Sequence, residues 1–338
     1  MKFQIKKSSC KRNIVICCLL AICNPINAAE TKLSTQLFAN FSDFQVARQT
    51  SDREGWQLDL KRFYLDLDHN FNADWKLKIT SDVQWLRQQS PTDLWFRHAY
   101  IQRSFNQGHY LKLGVAELPW IDYIARRVGF RYIDPSLTPK NQLASPTDPG
   151  IHYGYKGLHF SYGIAAVTGG GFKKPRVGDG VDLEAAAIWH LNERFDLAFG
   201  LYQGTRTLDK GIAPKYHTAR RYDLALSYLY KGARFGVEYA YNDNWRQVNQ
   251  IPEDASNGWS TWGSYSFSPK YAAFVRYDIT KPNRRLNPSL ERTYYQLGVD
   301  YKVTPYLTMA FVAKQNKSSG SGPKSKQNEI GIWTLWNF

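Results

Sequence analysis

The chain has 338 residues, 15% of them aromatic, with 44 Lys and Arg against 29 Asp and Glu and only four cysteines. Beyond the first 28 residues no stretch is apolar over the roughly 20 residues that a membrane-crossing helix needs. A mature chain that resides in a membrane must therefore cross it as a closed barrel. Cys10, Cys17, Cys18 and Cys23 all lie in that first segment, which excludes a disulfide framework and thiolate chemistry from the remainder.

The first segment reads as a secretory signal peptide. MKFQIKKSSCKRN carries basic residues and no acid, IVICCLLAIC is a short apolar run, and small Ala28 precedes AETK at the expected cleavage point. The expected organisation is a signal peptide over 1–28 and one β-barrel domain over 29–338. Removing the five basic residues of the leader from the 44 leaves 39 against 29 acidic ones. A surplus of that sign in an exported chain points to phosphorylated lipid headgroups or anionic solutes as partners, and not to nucleic acid.

Sixteen short segments with strand character follow in chain order. They span 33–42, 56–69, 75–86, 94–105, 110–117, 150–156, 158–167, 181–190, 195–205, 219–230, 234–245, 258–267, 271–280, 293–303, 306–315 and 328–338. Several alternate cleanly, such as Leu77, Ile79, Val83 and Trp85 against Lys76, Lys78, Thr80, Asp82 and Gln84. Tight links rich in turn residues (Asn70, Asn72 and Asp74; Asn106 and Gly108; Lys231-Gly232; Ser268-Pro269; Thr304-Pro305) take turns with long ones. Short periplasmic turns alternating with long extracellular loops mark an outer-membrane barrel. The fold class is thus all-β, a transmembrane antiparallel barrel of about sixteen strands, wide enough to leave an aqueous channel.

The last segment, EIGIWTLWNF, puts Ile330, Ile332, Thr334, Trp336 and Phe338 on one face. It is expected to close the barrel against LSTQLFANF, with Trp336 and Phe338 in the periplasmic aromatic girdle. A terminal aromatic preceded by alternate apolar residues resembles the outer-membrane insertion signal read by the barrel-assembly machinery.

The third long connection, 118–149, is longer than a surface link requires. IDYIARRVGF within it is expected to make two helical turns, with Arg127 and Arg131 as i, i+4 neighbours above Tyr123. Folded inward, the loop would bring Arg126, Arg127, Arg131, Lys140 and Tyr123 to a pore constriction. The lumen face would carry the bases Lys61, Lys76, Lys78, Lys112, Arg221, Arg234 and Arg276, together with Lys231, Lys302 and Lys314. Acids on the same face are about as numerous, so the wall by itself has no clear sign. The long connections at 168–180, 206–218, 281–292 and 316–327 do, with 13 basic residues and three acids.

KRFYLDLDHNFNADWKLKI, DLWFRHAYIQRSF and LKLGVAELPW before the long third loop resemble the phosphate-selective porin O and P family. In layout the resemblance covers nearly the whole mature chain; Lys61-Arg62 and Gly114 to Pro119 match most closely. It implies a sixteen-stranded barrel, commonly trimeric, that conducts anions past pore-lining arginines and lysines. At His98, before Ala99, an acidic residue would be expected, and no dense lysine cluster follows Pro119. The resemblance therefore implies an anion channel more than strict phosphate specificity.

Other chemistry leaves little trace. Seven histidines are scattered without metal-ligand spacing, GGGF at 169–172 and GDG at 178–180 sit in a loop, and no cofactor is expected. Ser256–Gly258 (SNG) is similar to a motif of outer-membrane phospholipases, but position 254 is Asp where a histidine base would stand. The leading expectation is a non-enzymatic porin for small hydrophilic solutes, mildly anion-selective, with phosphate or other oxyanions among them. The alternatives are a surface barrel that binds lipopolysaccharide or acts as an adhesin, and an outer-membrane hydrolase. Partners expected besides solute are outer-membrane lipid, lipopolysaccharide and two further copies of the chain.

Overall fold

Residues that alternate apolar and polar make a strand with one face for lipid and one for water, and in a bilayer both strand edges must also be paired. The computed structural model, which describes residues 29–47, 54–85, 94–176, 180–208, 216–245, 254–320 and 324–338, meets both demands by closure. The expected signal segment lies outside these residues. The first eight strands are β1 (Glu30–Ala47), β2 (Gly55–Asn70), β3 (Trp75–Trp85), β4 (Leu94–Ser104), β5 (His109–Glu117), β6 (Thr147–Lys156), β7 (Phe160–Val167) and β8 (Asp182–His190). The second eight are β9 (Phe195–Leu208), β10 (Tyr216–Tyr230), β11 (Ala233–Asp243), β12 (Ala255–Ser266), β13 (Tyr271–Lys281), β14 (Glu291–Lys302), β15 (Leu307–Ser319) and β16 (Ser325–Asn337). Each pairs antiparallel with its neighbours in sequence, and β16 pairs with β1, so no edge is left open. All sixteen expected segments are strands.

Closure comes down to the last residue. Phe338 exchanges two backbone hydrogen bonds with Thr35, at 3.0 and 3.1 Å, and its ring stacks on Trp336 with centroids 6.0 Å apart. Ile330 and Ile332 face outward while Trp333 is fully buried inside. Leu58, Leu113, Ile164, Leu201, Val275, Leu297 and Phe311 are likewise exposed around the barrel exterior, an apolar belt suited only to lipid.

Most of the tight links are built by local side-chain bonds or by positive φ. In four of them a side-chain oxygen accepts from the backbone N–H groups two and three residues on: Asn72, Asn192, Ser268 and Thr304. Lys231-Gly232 instead forms the two-residue turn between β10 and β11 with both φ values positive, 45° and 81°, where glycine is favoured at the second position.

A barrel of this width is hollow, and here its core is supplied by one connection, residues 118–146, called loop 3 below. The strand after it begins at Thr147, earlier than the sequence suggests, because Thr147–Pro149 pair with Val115–Glu117. Loop 3 contains α1 (Pro119–Val128) and α2 (Leu137–Lys140). It runs inside the barrel and packs on opposite walls. Trp120, Tyr123, Ile124 and Val128 cluster with Ala165, Ala186, Ala198, Ala225 and Trp262 of β7, β8, β9, β10 and β12. Tyr132 and Ile133 cluster with Phe38, Tyr64, Phe274, Val312 and Trp333 of β1, β2, β13, β15 and β16.

Candidate pore constriction

Loop 3 begins as a helix for local reasons. Pro119 stands in the first turn, where its missing N–H costs nothing. Its neighbour Trp120 donates its backbone N–H to Glu184 of β8 at 3.1 Å, so a wall carboxylate satisfies a donor that the helix leaves open. Residues 120, 124 and 128 form the apolar stripe and face β7–β11. Glycines make that approach possible: a Cβ at Gly200 would stand 2.8 Å from the Trp120 ring, and one at Gly163 would stand 2.9 Å from Pro119 Cβ. The opposite face, with Asp122, Ala125 and Arg126, borders open space.

The helix stops at Val128, with Gly129 at φ 69° and Phe130 at φ 52°. Arg127 and Arg131 are therefore not i, i+4 neighbours on one helix, as the sequence suggests. Arg127 lies over the Tyr123 ring and ion-pairs with Asp196 on the wall. Arg131 is released toward the other side of the lumen. Tyr123 is buried, its hydroxyl 3.0 Å from Ser227 Oγ, and it does not reach the channel.

Beyond the helix, loop 3 is held by its own carbonyl groups. Lys61 Nζ donates to Ile133 O, Arg276 to Pro135 O at 2.5 Å, Trp245 Nε1 to Gln142 O at 2.9 Å, and Arg221 to Leu143 O at 3.0 Å. Arg221 is fully buried between Glu184 and Asp223, both 2.7 Å away, and Arg276 is paired with Asp278 at 2.5 Å. Asp134 sits 3.4 Å from both Lys140 and Lys314 and accepts from the Tyr294 hydroxyl at 2.6 Å. Burial alone would raise the Asp134 carboxyl, but the ammonium groups of Lys140, Lys314 and Lys61 outweigh it and hold it well below the usual carboxylate range. Lys140, expected at the constriction, lies instead over the Tyr294 ring at 3.8 Å, behind the loop.

The open space of the lumen lies on the other side of loop 3, along β2–β5. A cavity of about 1130 Å³ is lined by Arg62, Tyr64, Asp66, Lys78, Thr80, Gln84, Arg97, His98 and Glu117 from the wall and by Asp122, Arg126 and Arg131 from the loop. A second cavity of about 440 Å³ opens toward the tight turns, past Arg234, Lys270, Asp300 and Lys302. Gln36 and Arg131 line both, so the neck between them lies beside the Arg131 guanidinium. Lys76 and Lys78 are paired with Asp68 at 2.8 and 3.0 Å, and Lys112 with Glu117 at 2.8 Å. Arg126 is largely exposed and paired with Asp122 at 2.6 Å.

Two β-bulges decide which side chains reach this neck. On β2 the register passes from Leu60 opposite Ala39 to Arg62 opposite Phe38, leaving Lys61 as the extra residue. Lys61 and Arg62 consequently both turn inward, one to the loop and one to Asp82 at 2.9 Å. On β4, His98 stands opposite Thr80 and Phe96 opposite Ser81, so Arg97 is the extra residue and both Arg97 and His98 face the lumen. Arg97 Nη1 donates to the Tyr64 hydroxyl at 2.8 Å, and Arg131 Nη2 donates to the same oxygen from the loop. Their guanidinium carbons lie 5.2 and 5.3 Å from the centre of the Tyr64 ring. Among the described residues neither arginine has a carboxylate partner. Nothing in the sequence singles out Arg97: strict alternation assigns its neighbour His98 to the lumen and hides it.

Ser256 Oγ donates to Asn242 Oδ1 at 2.6 Å, and among the described residues no three His, Cys, Asp or Glu side chains are grouped to hold a metal. The rim expectation falls partly outside the described residues, at 177–179, 209–215 and 321–323.

The architecture is that of a bacterial outer-membrane barrel: sixteen closed strands, a lipid-facing apolar belt and an internal loop. No family model and no curated protein sequence matches the chain. Solved structures do. They include an anion-selective porin from Comamonas acidovorans (TM-score 0.67, 12% identity, covering 92% of this chain and 100% of the other). The outer-membrane channel DcaP of Acinetobacter baumannii gives a TM-score of 0.66 at 14% identity, over 92% and 97% of the two chains. The trimer form of OmpT, an outer-membrane protein of Vibrio cholerae, gives 0.61 at 13%, over 92% and 100%. At these identities the likeness is one of fold, to outer-membrane porins in general and not to the phosphate-selective family in particular.

Proposed function

We propose that the protein is a passive outer-membrane channel for small hydrophilic solutes with a modest preference for anions, working as a homotrimer. The reading rests on Arg97 and Arg131. Two guanidinium groups without a counter-ion, one from the wall and one from loop 3, meet at the Tyr64 hydroxyl beside the neck, where low-dielectric walls strengthen the field of each. Asp66, Glu117 and Asp122 on the same cavity are each paired with a base, so they offset that field only in part. Exclusion of cations is not expected. Carboxylates, phosphate and other oxyanions match the planar fork of a guanidinium and would be favoured among solutes that fit. The fold shared with a trimeric outer-membrane protein supports the trimer.

Reversal potential in a planar bilayer under a salt gradient tests this. At about 0.1 M salt, where screening acts over roughly 10 Å, the wild type should show the anion-selective sign. Replacing Arg97 and Arg131 together by Ala should move the potential toward zero. A cation-selective wild type, or a double variant with unchanged potential, would refute the assignment.

A further inference from the structure

Outside the barrel, at the long-loop end of β12 and β13, lies a groove of about 350 Å³ unconnected with the channel. Its lining is Asn257 and Trp259 of β12, Ile279 and Lys281 of β13, and Arg284 and Pro288 of the following connection. Trp259 and Ile279 sit opposite each other in register, as do Asn257 and Lys281, and Trp259 is about half exposed. The groove thus has an apolar floor toward the membrane centre and two cations toward the outer surface. Among the described residues neither Lys281 nor Arg284 ion-pairs with a carboxylate; the nearby Asp243 is taken by Arg285 at 3.1 Å. The Asn257 side-chain oxygen is enclosed and has no protein hydrogen-bond partner, although it stands on a face otherwise turned to lipid.

The connection that carries Arg284 is built, not loose. Asp254, fully buried, accepts from the backbone N–H of Ala255 and of Arg285, each at 2.8 Å, and from Asn283 Nδ2 at 3.1 Å. The Arg284 backbone N–H donates to Ala255 O at 2.8 Å, and its guanidinium lies 5.9 Å from the centre of the Tyr241 ring. The backbone that carries the cation is therefore held above the groove before any ligand arrives, which lowers the ordering cost of binding.

We infer that this groove is a docking site for a phosphorylated lipid of the outer leaflet. One phosphate lies between Lys281 and Arg284, with Asn257 bonding the headgroup and an acyl chain running along Trp259 and Ile279. Charge complementarity selects the phosphate, and the position on the lipid face selects a lipid over a free anion. The assignment is independent of solute selectivity, since no groove residue lines the channel.

The test is native mass spectrometry of the detergent-solubilised protein titrated with bisphosphorylated lipid A, phosphate-free lipid A and inorganic phosphate. One saturable lipid per chain is expected with the bisphosphorylated form. Lys281→Ala with Arg284→Ala should weaken it by about tenfold or more, and Trp259→Ala should weaken it with the phosphate contacts intact. Heat-dependent gel migration confirms that each variant is a closed barrel. Equal binding of the phosphate-free lipid, full displacement by millimolar inorganic phosphate, or unchanged affinity in the double variant would overturn the assignment.

Discussion

Lumen cations in this barrel do two different jobs, and partner geometry separates them. Lys61, Arg221 and Arg276 look like pore lining by alternation, yet each donates to a carbonyl of loop 3. Asp134 completes the fastening from the loop side. Its carboxyl is depressed in the folded state, so its stabilisation is complete above the ordinary value of 3.8 and is lost as the pH falls through the lower folded value. Conductance should therefore hold steady from neutral pH down to about 4, with the loop loosening only in stronger acid. Asp134→Asn removes the carboxylate paired with Lys140, while Lys314 keeps Glu329 at 2.6 Å, and breaking a buried pair in this way costs at most on the order of 3–5 kcal/mol. That variant should show noisy, enlarged single-channel currents already at neutral pH. Quiet wild-type currents from it would show that the carboxylate does not hold the loop.

At the scale of elements, loop 3 is a packed insert, and its seat is written in small residues. Gly163, Ala165, Ala186, Ala198, Gly200 and Ala225 occupy inward positions that water alone would leave polar. That apolar, small-residue patch on consecutive strands is the signal in the sequence that something lies against the wall. The helical character of IDYIARRVGF was legible as well, but its end was not, because Gly129 and Phe130 adopt positive φ only where the chain turns across the lumen. Gly200→Val tests the seat. The added methyls meet the Trp120 ring, and overpacking of this kind costs about 1–3 kcal/mol. Displacement of α1 from its wall toward the open side of the lumen should lower conductance while the closed barrel survives on gels. An unchanged current would mean that the helix does not bound the channel.

For the whole molecule, stability resides in closure. Among the described residues no strand edge offers a place to start unzipping, so the purified protein should migrate differently on denaturing gels before and after boiling. The seam between β1 and β16 includes two backbone bonds made by Phe338 itself. Deleting Phe338 should lower the amount of heat-modifiable protein in the outer membrane and raise periplasmic aggregate, with export unaffected. Wild-type assembly of the truncated chain would show that the terminal aromatic is dispensable.

Strand number and order, and facing away from the bulges, were available from the sequence alone, because alternation and turn residues are local signals imposed by lipid on one side and water on the other. Asn72, Asn192, Ser268 and Thr304 make their turns with partners two or three residues away. What only the tertiary structure decided is which basic side chains are free. A bulge is a slip of one strand against its neighbour, so Arg97 enters the lumen through a register that no single segment encodes. Whether a buried cation meets a carboxylate, a carbonyl or open water depends on what stands across the lumen. There Tyr132 and Ile133 meet residues from both ends of the chain, a juxtaposition that exists only once the barrel has closed.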